Sequence, residues 1–175
     1  MVQVTRLPGA LQQPWASPAC AASEPAGAGR DPIPGFVIGR DDMGVDASAA
    51  PGAPIYAPAA SRLVQVLPGW YAGQPLLLFE FLSPLPGALS QYWYVAEQIA
   101  PVTATIGTVF AAGRVVARFA PAGTGIEIGW GSPTSIQRTL AGQSDPAAAN
   151  PPPGAPTSWG ESFKRYFSIP KGAAR

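Results

Sequence analysis

The chain has 175 residues, enough for one domain with additional tails, and its 22 prolines and 20 glycines predict many turns and little long helix. Charged residues make up only 12% of it, the formal net charge is +1 and no basic run occurs, so nucleic-acid binding through a phosphate-tracking patch is not expected. The chain contains no histidine, which excludes every reaction that needs an imidazole.

Residues 1–35 are predicted to form an extended arm, because prolines punctuate them and each proline removes a backbone hydrogen-bond donor. These prolines are Pro8, Pro14, Pro18, Pro25, Pro32 and Pro34. Trp15 is a candidate anchor of the arm on the domain or on a partner chain. Cys20 is the single cysteine, so no intrachain disulfide forms, and without a histidine to activate it we expect an inert thiol.

The N-terminal residues do not have the pattern of a secretory signal, because no apolar run of roughly 7–15 residues follows a positive charge. No stretch approaches the ~20 apolar residues of a membrane span. We therefore expect no export by the common route and no membrane span. A cytoplasmic location, a phage particle and a specialised secretion machine all stay open.

The segment 36–140 is predicted to be an all-β domain, since short β-rich runs alternate with Pro/Gly turns, as in a sandwich or barrel. The runs are 62–67, 76–82, 92–99, 115–119 and 125–130. The first ends at Pro68-Gly69, and 76–82 is continuously apolar, which suits a strand buried on both faces. Its length alone does not exclude a helix.

Residues 141–156 are predicted to be a proline-rich linker, and residues 157–175 a short helix and tail. Ser158 and Glu161 have capping-box spacing. The predicted apolar face consists of Trp159, Phe163 and Phe167, with Tyr166 beside it. Two interpretations stay open: the helix packs on its own sandwich, or it docks a partner chain.

Three sequence motifs of this chain resemble those of one protein family and occur in the same order and spacing. The first runs from Asp42 to Pro58, DMGVDASAAPGAPIYAP. It resembles the opening motif of the lysostaphin-like (LytM-type) zinc endopeptidases, which cut peptidoglycan cross-bridges. That motif has a zinc-ligand His, a Gly and an aliphatic residue, a zinc-ligand Asp, and a Pro-Gly-Thr-Pro-Val-Tyr-Ala turn and strand. Asp46 matches the Asp ligand, and Asp42 stands where the family has His.

The other two motifs lie downstream. Residues 107–117 resemble the family's hairpin of two glycines six apart; biotinyl and lipoyl carrier domains have a similar hairpin, but they need a lysine that this region lacks. Residues 123–129 resemble the closing strand, where the family has His-x-His and this chain has Gly125 and Glu127. The first His of that pair, at the place of Gly125, is catalytic in the family. Residues 92–95 resemble the family's Tyr-x-His-Leu motif, whose His is the second catalytic one, and Tyr94 stands in its place.

The resemblance implies a degenerate member of the family. Its fold would be a lysostaphin-like β-sandwich or barrel-sandwich hybrid, with Asp42, Asp46 and Glu127 converging at the family's metal position. Three carboxylates brought together repel one another unless one holds a proton or a cation neutralises them. An all-oxygen ligand set suits Ca²⁺, Mg²⁺ or Mn²⁺ better than zinc, so no zinc is expected.

Three interpretations of this acidic set stay open. In the first, it is a relic of the metal site, and its acids face solvent or pair with Arg40, Arg62 or Arg118. In the second, all three acids bind a hard cation such as Ca²⁺ or Mg²⁺. In the third, two of them, with Glu127 and Asp42 the candidates, do acid/base work on a glycosidic bond.

Aromatic residues offer a second candidate site, since rings stack on sugars and on peptide planes. The rings in question are Trp70, Tyr71, Tyr92, Trp93, Tyr94 and Trp130. The alternative is that they fill the core, with Tyr92 and Tyr94 on one face of a strand and Trp93 on the other. Tyr94 and Trp130 neighbour the family's metal position and are the preferred groove residues, followed by Tyr92, with Asp46 as the polar contact.

The function favoured by the sequence is a non-catalytic binding or assembly module, derived from a cell-wall peptidase, whose cleft recognises peptidoglycan-like peptide or glycan or is lost to packing. One alternative is a carboxylate-based hydrolase on Asp42, Asp46 and Glu127. Another is a structural component of a phage tail or similar particle that uses the arm and the C-terminal helix as clamps on a protein partner, with oligomerisation open.

Overall fold

The fold, given by a computed structural model, is described for residues 29–101, 103–134, 138–144 and 157–170. It consists of two antiparallel sheets and two short helices, which is the all-β class that the sequence predicts. Trp15, Cys20 and most of the predicted arm lie outside the described residues. So does most of the predicted linker, although its first residues belong to a helix.

Ten strands and two helices make up the described chain. The strands are β1 (Val37–Asp41), β2 (Val45–Ser48), β3 (Pro54–Tyr56), β4 (Ser61–Tyr71), β5 (Gln74–Phe81), β6 (Tyr92–Glu97), β7 (Ile99–Pro101), β8 (Val109–Phe110), β9 (Val115–Phe119) and β10 (Ile126–Trp130). The helices are α1 (Leu140–Ser144) and α2 (Ser158–Tyr166). The larger sheet has the order β1-β2-β10-β6-β5-β4-β8, and the smaller has the order β3-β9-β7.

The main core lies between the two sheets. Apolar side chains from both contribute to it, including Ile55 and Phe119 from the smaller sheet and Phe79 from the larger. Phe79 stacks on Trp93 with ring centroids 4.3 Å apart, and the buried Trp93 indole donates a hydrogen bond to Ser61 Oγ. This two-layer arrangement is a sandwich, because each sheet buries one apolar face against the other.

Helix α2 closes one side of this core. Its buried rings, Phe163 and Phe167, pack on Trp130, with centroid distances of 5.1 and 5.5 Å. The apolar side of the helix is therefore buried on its own domain, which is the first of the two interpretations. Among the described residues, no helix combines the length and the apolar character needed to cross a bilayer.

Three local features differ from the sequence prediction. Strand β4 continues through Pro68 to Tyr71, because a register shift between Leu67 and Tyr71 interrupts the ladder where proline lacks its N–H. The predicted strand 92–99 breaks after Glu97, whose φ of 73° turns the chain towards the smaller sheet. The N-cap of α2 is Thr157, whose side chain accepts from Gly160 N.

We expect Phe167→Ala to lower the free energy of unfolding by about 3–5 kcal/mol, because it empties a fully buried ring site between the helix and the sheet. Leu89→Ala is the matched control, since Leu89 is 47% exposed and its truncation should cost less than about 0.5 kcal/mol. Urea unfolding measures both. Equal losses in the two variants would show that α2 is not part of the cooperative core.

Candidate functional site

Three carboxylates meet at one end of the larger sheet. One oxygen from each of Asp42, Asp46 and Glu127 lies within 4.8 Å of the others. Asp46 on β2 and Glu127 on β10 are direct cross-strand partners, and Asp42 lies just after β1. On β10, Ile126 and Ile128 point into the core, so the pleat turns Glu127 to the opposite face. The resemblance implies this convergence, and the structure shows it.

A β-bulge brings a fourth group, the side chain of Arg40, into the same place. The β1–β2 register is irregular between Ile38 and Asp41, so that two residues of β1 lie opposite Asp46. The Arg40 guanidinium then contacts two of the acids: Nη2 lies 2.6 Å from Asp42 Oδ2, and Nε donates to Asp46 Oδ2 at 3.2 Å. One cation thus bridges two carboxylates.

The third carboxylate is held by Tyr94. Its hydroxyl donates to Glu127 Oε1 at 2.5 Å from the neighbouring strand β6. The fit depends on Gly44, because a Cβ there would lie 2.6 Å from both the Tyr94 hydroxyl oxygen and the carbonyl oxygen of Ile128. The glycine of the opening motif therefore serves close packing over the site.

Burial dominates the electrostatics of the site. Glu127 is 3% exposed, and burial together with the adjacent Asp42 carboxylate raises the pKa of Glu127 well above its usual range. Burial and Asp42 also raise the pKa of Asp46, to about 7, against the opposing charge of Arg40. Burial and Glu127 raise the pKa of Tyr94, so its phenol stays a donor. A proton on Glu127 reduces the negative charge that the Arg40 guanidinium has to balance.

One atom of the site has no donor. Asp42 Oδ1 is buried and accepts no hydrogen bond from the described residues. A buried unpaired oxygen is costly, and two kinds of group can satisfy it: a proton on the adjacent Glu127 carboxyl, or a cation. The raised pKa of Glu127 favours the proton.

The structure distinguishes among the arginines proposed for pairing. Arg40 contacts the acids, whereas Arg62 pairs with Glu80 at 3.7 Å and Arg118 donates to the carbonyl oxygen of Gly52. The expectation that the relic acids face solvent does not hold for Asp42 and Glu127, which are almost fully buried.

The preferred aromatic residues are core residues, which corrects the sequence prediction. Tyr94 is 0% and Trp130 1% exposed, so neither ring presents a face to a ligand. Tyr94 lies under Trp70, with ring centroids 6.2 Å apart, and Tyr92 is only partly buried in the same cluster. Trp93 lies on the opposite face, in the main core, as the strand alternation predicts.

The open cavity of the site lies beside the carboxylates, on the side of edge strand β1. It has a volume of about 1110 Å³. Its charged and principal apolar lining residues are Phe36, Ile38, Arg40, Asp41, Asp46, Glu97, Glu161 and Lys164. We call this cavity the β1 groove.

Sequence reasoning missed a second charged cluster at the β1 groove. The Lys164 ammonium, on α2, binds Asp41 Oδ2 and also Glu161 Oε1, and its side chain is only 7% exposed. The i,i+3 spacing of Glu161 and Lys164 is visible in the sequence, but Asp41 is 123 residues away from Lys164. No local sequence pattern could therefore predict the contact between Asp41 and Lys164.

The donor set does not fit the zinc ion that the resemblance implies. Zinc hydrolases hold the ion mainly through imidazole and keep an open position for water. Here the donors at the family's metal position are carboxylates alone, one of which pairs with Tyr94 and two with Arg40. Gly125 stands where the resemblance has a catalytic His. No zinc-dependent step is therefore derived for this chain.

Comparison with known proteins shows no family for this chain. No family model matches the chain, and no curated protein matches it. Among solved structures, the chain is similar to a zinc-containing peptidase from Vibrio cholerae, with 16% sequence identity and a TM-score of 0.43. The match covers 58% of this chain and 35% of the peptidase, so the chain spans about a third of that protein's length.

We expect the stability of the fold to fall as the pH rises from about 4, near the ordinary pKa of Asp46, to about 7, the pKa of Asp46 in the folded chain. A carboxyl whose pKa is higher in the folded chain binds more protons when folded, so stability is lost between the unfolded and folded pKa values. That interval reaches about 7 for Asp46 and lies higher for Glu127.

The test compares wild type with Glu127→Gln, whose amide imitates the protonated acid. Each titrating proton contributes a slope of up to about 1.4 kcal/mol per pH unit, and the variant should lose its share of that slope. Urea unfolding at several pH values measures it, with Glu80→Gln at the exposed Arg62 pair as the control. A steeper fall in Glu127→Gln would contradict the buried, protonated state.

Proposed function

We propose that the chain is a non-catalytic binding module built on a peptidase-like scaffold. One observation carries this proposal: in a chain without histidine, the acids at the metal position that the resemblance implies are bound by groups of the chain itself, and two of them, Asp42 and Glu127, are buried. Glu127 is engaged by Tyr94, and Asp42 and Asp46 by Arg40. A hydrolytic site needs groups that can reach both water and substrate.

Acid/base cleavage of a glycosidic bond is a poor fit to the same geometry. Such enzymes place two carboxyl groups on either side of the bond, roughly 5 to 9.5 Å apart. Here both side chains are more than nine-tenths buried, and Tyr94 and Arg40 already contact their oxygens. A sugar ring has no access between them.

The β1 groove is the surface we propose for binding. It is open, and it is bordered by β1, the edge strand of the larger sheet, which can pair with an extended peptide. Four carboxylates and two cations line it, with Phe36 and Ile38 as apolar contacts. That mixture suits a peptide or glycan of the peptidoglycan kind that carries amino groups, rather than an acidic polymer.

We expect the wild-type protein to sediment with purified cell walls and the variant Val37→Arg to stay in solution. Val37 is 54% exposed and lines the groove, so the longer side chain obstructs it with little cost to the fold. Val109→Arg is the matched control, because Val109 is 55% exposed on β8, at the other edge of the same sheet.

Two outcomes would contradict the proposal. Binding by Val37→Arg at the wild-type level would exclude the groove, and no binding by the wild type would favour a structural part in an assembly. Mass spectrometry of the incubated walls tests catalysis. New fragments that disappear in Glu127→Gln would show that the chain is an enzyme.

A further inference from the structure

The metal position of this scaffold contains an internal cation. Arg40 Nη2 and Nε contact Asp42 Oδ2 and Asp46 Oδ2, the same carboxylates that would bind a metal ion. A guanidinium fork suits this geometry, because it presents separate N–H groups to two acceptors in one plane. The contact depends on the bulge in β1, which places Arg40 opposite Asp46.

We propose that Arg40 is a built-in counter-ion that takes the place of a metal ion, and that its removal opens a latent hard-cation site on Asp42, Asp46 and Glu127. The inference is independent of the ligand of the β1 groove, since it concerns what holds the three acids together. It would stand if the protein bound no cell wall.

The ligand set for such an ion is already assembled. All three acids offer an oxygen within 4.8 Å of the others, which is compatible with the spacing of ligands around one ion of the Ca²⁺ type. The Asp42 side chain is 5% exposed, and its Oδ1 has no donor among the described residues, so this buried oxygen can become a ligand when an ion displaces the proton of Glu127. Without Arg40, the carboxylates lose their only contacting basic side chain in the described chain.

An entry path also exists. Arg40 is 49% and Asp46 28% exposed, and both line the β1 groove, whereas Asp42 and Glu127 are buried behind them. Shortening Arg40 therefore opens the cluster towards the groove without removing any core side chain. An accessible path of this kind is one requirement of a metal site.

The experiment compares Arg40→Gln with the wild type in EDTA and then in Ca²⁺, Mn²⁺ or Zn²⁺. The wild-type melting temperature should not respond to these ions. Arg40→Gln should melt lower in EDTA and rise by roughly 5–10 °C when Ca²⁺ or Mn²⁺ is in hundredfold excess over its Kd. Isothermal titration calorimetry should give one ion per chain for Arg40→Gln and none for the wild type.

Two further variants make the result specific. Arg62→Gln removes an arginine of nearly equal exposure, 50%, from an exposed pair with Glu80, and it should not respond to ions. The double variant Arg40→Gln/Asp46→Asn should lose the response, because a ligand is missing. Where Arg40→Gln does not purify as folded protein, Arg40→Lys retains the charge without the fork and should show a smaller response.

The proposal is overturned by either of two results. The first is a wild-type protein that binds the ions as tightly as Arg40→Gln, which would mean that Arg40 does not occupy the site. The second is a folded Arg40→Gln protein whose melting temperature and calorimetry are unchanged by every ion.

Discussion

The pairing of Arg40 with the carboxylates of Asp42, which is buried, and Asp46, which is partly exposed, is the constraint on which the rest of this site depends. Three acids converge where two strands and a hairpin turn meet, and burying even one unpaired charge there would cost several kcal/mol. The guanidinium of Arg40, the hydroxyl of Tyr94 and a proton on Glu127 together reduce that cost. The acidic set is thereby a structural element of the fold, with its groups directed at one another.

The segment that carries Arg40 also connects the site to helix α2. The β1 segment that carries Arg40 continues into Asp41, which binds Lys164 on α2, and into Asp42, whose carbonyl accepts from the Thr157 hydroxyl. Helix α2 is thus fixed by polar contacts of Thr157 at its N-cap and Lys164 in its last turn, and by the buried rings of Phe163 and Phe167. Asp41, Glu161 and Lys164 also line the β1 groove, so the position of the helix contributes to the shape of the groove.

Much of the fold could be predicted from the sequence, because β-strand periodicity and motif order are local signals. The bounds of the predicted strands 76–82, 115–119 and 125–130 agree with those of β5, β9 and β10 to within two residues. The convergence of Asp42, Asp46 and Glu127 was also predictable, because the resemblance fixes their places on neighbouring strands. What it could not fix was their environment: of the two alternatives, exposure to solvent or pairing with an arginine, the structure shows pairing with Arg40, and Asp42 and Glu127 are buried.

The errors have a common physical origin in long-range packing. The rings of Tyr94 and Trp130 were preferred as groove residues because of their neighbourhood, but Trp70 and α2 cover them. Arg40 was one of three candidate partners, and only the register shift in β1 selects it. Asp41 and Lys164 are 123 residues apart in the sequence, so no local pattern predicts their contact.

The most direct test of the central claim is a crystal structure of the wild-type protein grown with zinc and calcium salts, with anomalous data collected at the zinc edge. The account predicts the Arg40 guanidinium between Asp42 and Asp46 and no anomalous peak or calcium density among the three acids. A metal peak at that point, with the arginine displaced into the groove, would contradict it.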